Sequence, residues 1–150
     1  MKLLTLFLFA VIPTLAQEHQ MAMGDHVMGF SHEKTTHHFQ LTRGGGLIEV
    51  TANDEKDLET RDQIRSHFHH IAQMFADGNF NAPMLVHGKD VPGTATMSKL
   101  KDQIHWELQD TPRGARLNIA TTNPEALVAI YQFLRFQIED HKTGDSIDIR

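Results

Sequence analysis

Apolar and polar residues alternate along His38-Phe39-Gln40-Leu41 and again along His105-Trp106-Glu107-Leu108. A period of two is the signature of a half-buried strand, with Phe39/Leu41 and Trp106/Leu108 on the inner faces. Each run leads into a glycine-containing turn, Arg43-Gly44-Gly45-Gly46 first and Thr111-Pro112-Arg113-Gly114 second. Return strands follow at Leu47–Thr51 and Arg116–Ala120, so each half of the chain begins with a β-hairpin. The period then lengthens. Ile64, Phe68, Ile71 and Phe75 form the apolar stripe of one helix, and Leu127, Ile130, Leu134 and Ile138 that of another. Asn53 or Asp54 can cap the first helix; Asn123 followed by Pro124 caps the second. Gly78 and Gly144 end them.

The pattern is a ββα unit used twice. One such unit buries only one face of its hairpin, so two units should share a core. The expected fold is α+β: a four-stranded, mainly antiparallel sheet with two helices on one face. It divides into ββα 37–78, a connector 79–103 and ββα 104–145 within a single domain, 37–150. The connector, with Pro83, Pro92 and Gly93, is long enough to carry a lid or a site wall, and one or two helical turns fit around Met97–Lys101.

The chain before His37 reads differently. Lys2, an apolar run from Leu3 to Ile12, the break at Pro13 and the small residues of Thr14-Leu15-Ala16 make residues 1–16 a cleavable signal peptide, cut after Ala16. The apolar run is shorter than the ~20 residues a bilayer span needs. The expected location is therefore periplasmic or secreted, with no membrane association after cleavage. Residues 17–36, poor in large apolar side chains, read as a flexible arm rich in His and Met.

Composition narrows the chemistry. The formal charge is −5, and losing Lys2 makes it one unit more negative, which leaves no basic surface for nucleic acid. Cysteine is absent, which removes disulfides, thiolate metal sites and thiol catalysis. Against that stand eleven histidines and seven methionines. Imidazole with thioether is a copper-binding combination, the soft sulfur favouring Cu(I).

The histidines fall into three groups. The arm holds His19, Met21, Met23, His26, Met28 and His32. A cut after Ala16 would make His19 the third residue, where amine, two amides and imidazole can form a square-planar Cu(II) or Ni(II) chelate. On the first helix, His67, His70 and Met74 stand at i, i+3 and i+7, along one shoulder of the apolar stripe; His69 points away. The rest are scattered: His37 and His38 at a strand start, His105 beside Trp106, His87 in the connector and His141 at the end of the second helix. Of these, His87 and His141 are the candidates to complete a site with the helix shoulder.

The runs Thr35-Thr36-His37-His38-Phe39, Arg61-Asp62-Gln63-Ile64-Arg65, Phe133–Ile138 and His141-Lys142-Thr143-Gly144-Asp145 resemble a group of small exported bacterial proteins without an established activity. The likeness covers nearly the whole chain after the signal. Some of that group carry an aspartate carbamoyltransferase label, which these residues do not support. The Ser-Thr-Arg-Thr phosphate loop of the catalytic chain and the four-cysteine zinc site of the regulatory chain are both missing.

The expectation is an exported metal-binding protein that handles copper through His and Met. Two alternatives stay open: an interaction module of the periplasm, meeting a protein partner or a second copy through its open sheet face, and a haem-binding protein or small His-dependent enzyme. No GxSxG elbow, phosphate loop, dinucleotide fingerprint or HExxH is present.

Overall fold

The computed structural model describes residues 15–150. Most of the expected signal, residues 1–14, lies outside the described residues. Five α-helices and four strands follow in the order α1 (Leu15–Met28), β1 (Thr35–Thr42), β2 (Gly45–Ala52), α2 (Leu58–Ala76), α3 (Asn81–His87), α4 (Thr94–Lys99), β3 (Ile104–Thr111), β4 (Gly114–Thr121) and α5 (Pro124–His141). The strands form one antiparallel sheet in the order β1-β2-β4-β3. The fold is α+β, with α2 and α5 on the apolar face of the sheet. Among the described residues no helix is long and apolar enough to cross a membrane.

The two hairpins are tighter than the glycine count suggests. Each is closed by a two-residue turn, Arg43-Gly44 and Pro112-Arg113, so Gly45, Gly46 and Gly114 belong to the strands. The reason is close approach. A Cβ on Gly45 would lie 2.0 Å from the Ile119 carbonyl oxygen, and one on Gly114 2.0 Å from that of Val50. These two glycines let β2 and β4 pair at the centre of the sheet.

That pairing fixes the relation of the two halves. Thr35–Thr42 matches Ile104–Thr111, and Gly45–Ala52 matches Gly114–Thr121, about an approximate twofold axis between β2 and β4. Phe39 therefore corresponds to Leu108, two positions away from the Trp106 expected from the His-Phe and His-Trp runs. In the helices, buried Thr60, Ile64, Phe68, Ile71 and Phe75 match Ala126, Ile130, Leu134, Gln137 and His141.

Helix starts agree with expectation in one case and differ in the other. Asn123 accepts from the backbone N–H groups of Glu125 and Ala126, with Pro124 in the first turn. The α2 cap is Asp57, which accepts from Thr60 N–H (2.9 Å). Asn53 and Asp54 are engaged elsewhere: Asn53 accepts from the Thr36 hydroxyl (2.6 Å) and Asp54 from Lys56 N–H (2.9 Å).

The segment expected as a flexible arm carries α1, which continues through the expected cut after Ala16, and then a 3-10 turn at His32–Lys34. It is held by its end: Met28 and Phe30 are buried in the main core. The connector likewise holds two short helices, α3 and α4. After α5 the chain returns along the outer edge of β1. Phe39 N–H donates to Asp145 (2.9 Å), Ile149 bridges to Leu41, and Arg150 N–H donates to the Leu41 carbonyl (3.0 Å). This covers one of the two sheet edges.

Candidate functional site

His37 follows the alternation of β1 and lies on the same face as Phe39 and Leu41, toward the helices. His67 precedes buried Phe68 on α2. His141 is the last residue of α5, one turn beyond Gln137, and His87 the last of α3. These four imidazoles, from four elements, line one pocket. Met28 and Phe30 enter it from the end of α1, and Phe39, Val50, Phe68, Ile71 and Phe133 make it predominantly apolar. Its volume is about 70 Å³. A wider cleft of about 870 Å³, bordered by His32, Lys89, Asp140 and Lys142, shares Met28, His37, Val86, His87 and His141 with it. The cleft thus leads to the imidazoles.

The rings are close. The centroids of His37 and His141 are 5.0 Å apart with planes at 15°, and His87 meets His141 edge-on at 5.0 Å. Phe30 touches both His37 (6.0 Å) and His67 (5.6 Å).

Burial sets their charge. It pushes His37 down to about 3, aided by the neighbouring imidazoles, His141 foremost. Burial likewise lowers His67 to about 4, with His70 adding to it, and His141 to about 4, with His87 adding to it. All three are neutral at pH 7, the form that binds metal. None of the three rings has a hydrogen-bond partner among the described residues. Nor are their nitrogens sealed away: among the described residues, the fully buried side-chain nitrogen and oxygen atoms without a partner are Trp106 Nε1 and Thr111 Oγ1. Three neutral imidazoles without a protein hydrogen bond around one pocket leave ring nitrogens that a ligand entering from the cleft can reach.

His87 differs. Its Nδ1 stands 2.6 Å from Asp140 Oδ2 and its Nε2 2.9 Å from Gln137 Oε1. Lys89 completes the group, 2.9 Å from the other Asp140 oxygen. Burial raises the Asp140 carboxyl, but the hydrogen bonds from Lys89 and His87 prevail and hold it below the usual carboxylate range. With both nitrogens engaged, His87 is a wall of the pocket and not a free ligand.

The expected helix shoulder does not assemble. Of His67, His70 and Met74, His67 alone reaches the pocket; His70 is exposed, and Met74 is half-buried against the core. His69 stands 3.6 Å from Asp110, and His38 pairs with Asp145 at 3.1 Å. On α1, His19, Met23 and His26 are exposed, while Met28 lines the pocket. The side chain of Met21 lies outside the described residues. His32 pairs with Asp25 at 2.9 Å.

The internal symmetry sharpens the site. His37 occupies the position of Trp106 in the other half, and His141 that of Phe75. Trp106 and Phe75 form an aromatic pair at 5.2 Å, extended by Phe80 and Phe133. Where one half packs indole on phenyl, the other holds two imidazoles. Of the scattered histidines the sequence singles out His141 as a candidate ligand but not His37. Matching the halves on Gly45 and Gly114, in place of His38 and His105, would have found it.

No known protein family, curated protein sequence or solved structure matches this chain.

Proposed function

We propose that this is an exported metal-binding protein whose ion is copper, held at the mouth of the pocket by His37 and His141, with His67 and the Met28 thioether as further donors. The observation that carries this reading is the group of three neutral imidazoles without hydrogen bonds around one pocket. The donor set favours Cu(I). As the side chains stand, no group of three or more His, Asp or Glu among the described residues is placed to hold an ion. Structural zinc asks for four such ligands, whereas Cu(I) accepts fewer donors and takes a thioether among them. Export rests on residues 1–16.

Calorimetric titration of the chain from Gln17 onward with Cu(I) under reductant, and with Cu(II), tests the proposal. Binding tighter than micromolar, weakened at least tenfold by His37→Ala and by His141→Ala, is the expected result. Equal affinity in both variants would move the site to the exposed His19, Met23 and His26 of α1 and sink the pocket as the copper site. A Soret band in the purified protein would replace copper by haem.

A further inference from the structure

Behind the imidazoles the pocket continues into the core, and what lines it there changes character. The residues that border the inner pocket and not the cleft include Phe39, Val50, Phe68, Ile71, Ala82 and Phe133. A volume of about 70 Å³ exceeds the ~10–15 Å³ that one water centre needs, so the space can hold a small molecule. Water suits its inner end poorly, because an ordered water wants two to four polar partners and the side chains of Phe39, Val50, Phe68, Ile71, Ala82 and Phe133 offer none. Charged ligands suit it no better: no Lys, Arg, Asp or Glu borders the inner pocket, and burial holds His37, His67 and His141 neutral. A macrocycle is far too large for it.

We propose that the inner pocket binds an uncharged molecule of no more than a few heavy atoms, entering past His37 and His141 and seated against Phe39, Val50 and Ile71. This inference rests on the copper reading for one part. An ion held by His37 and His141 at the mouth would have a coordination position turned inward, where a molecule of this kind fits. Binding there is dative, a lone pair given to the metal, with no bond broken and no electron transferred.

Two probes separate the pocket from the metal. Xenon added to the apo chain, followed by 129Xe NMR, reads the pocket alone. A saturable shift is expected, weakened at least tenfold in Ala82→Leu and in Ile71→Phe, which fill the space from α3 and α2. Their melting curves show whether each is folded, and the unmutated chain gives the xenon result without them. Carbon monoxide added to the Cu(I)-loaded chain reads the inward position through its C–O stretching band. The band should appear in the unmutated protein and vanish in the filled variants while Cu(I) stays bound. No xenon response, or equal xenon response in folded filled variants, overturns the pocket. A carbon monoxide band unchanged by filling overturns the inward position. Absence of copper binding removes the metal reading, and xenon alone then decides the pocket.

Discussion

His141 and Phe75 hold corresponding places near the ends of α5 and α2, yet one is an imidazole without a hydrogen bond and the other a phenyl ring. Burying a polar group without a hydrogen bond costs about 1–3 kcal/mol on protein scales. Because its nitrogens keep some access to solvent, His141→Phe should raise unfolding stability by less than about 1 kcal/mol in urea titration while lowering copper affinity at least tenfold. Opposed changes of that kind identify a residue kept for binding at the expense of stability. A variant that lost stability and kept copper would show that His141 serves the fold. His87 should behave the other way. His87→Ala removes a side chain held on both nitrogens and leaves Gln137 buried without its partner. A loss of about 2–4 kcal/mol in the same titration is expected. At this scale the residue types were legible in the sequence, but their partners were not. Asp140 and Gln137 are some fifty positions from His87, and no local pattern links them.

Hairpins and amphipathic helices were legible because their periods of two and 3.6 are written locally. Their ends were less so. The side-chain oxygen of Asn123 is left to the first turn of α5, whereas that of Asn53 is taken by the Thr36 hydroxyl and its amide donates to the Glu33 carbonyl (3.1 Å). Strand register was also settled beyond the element. Gly45 and Gly114 sit where the opposing central strand leaves no room for a Cβ. Gly45→Ala and Gly114→Ala should each cost about 3 kcal/mol by thermal or urea unfolding, since relief needs backbone movement. Similar losses at both positions would support the twofold relation of the hairpins. A neutral Gly114→Ala would show that the β2–β4 pair can slide. Residues 17–36 suggest a flexible arm because they are poor in large apolar side chains; the order of α1 comes from packing on α3 and from Met28 and Phe30, buried in the core.

Across the whole molecule, the three lowered imidazoles make stability depend on pH in a defined window. Their folded values of about 3 to 4 lie below the ordinary 6.5. Between those values the unfolded chain binds more protons than the folded one, so stability is fully present above about pH 6.5 and is lost as pH falls toward 4. Each imidazole contributes at most about 1.4 kcal/mol per pH unit. Urea midpoints should be flat from pH 7 to 8 and fall steadily from pH 6.5 to 4.5. His141→Phe should make that fall shallower, and an unchanged slope would mean that His141 is not buried neutral in solution. The carboxylates Asp57, Asp140 and Asp145, held low by their hydrogen bonds, add their own loss only at more acid pH. The sequence by itself determined the α+β class, the doubled ββα order and the stock of chemistry: histidine and methionine with no cysteine. These follow from local periodicity and from composition, which need no knowledge of contacts. Tertiary structure alone decided which histidines meet. His37, His67, His87 and His141 come from four elements, and their convergence depends on strand register, helix rotation and the docking of α1 and α3. A site built by long-range contacts leaves no spacing in the chain to read. Its one trace is the break in internal symmetry, where imidazoles stand in place of Trp106 and Phe75.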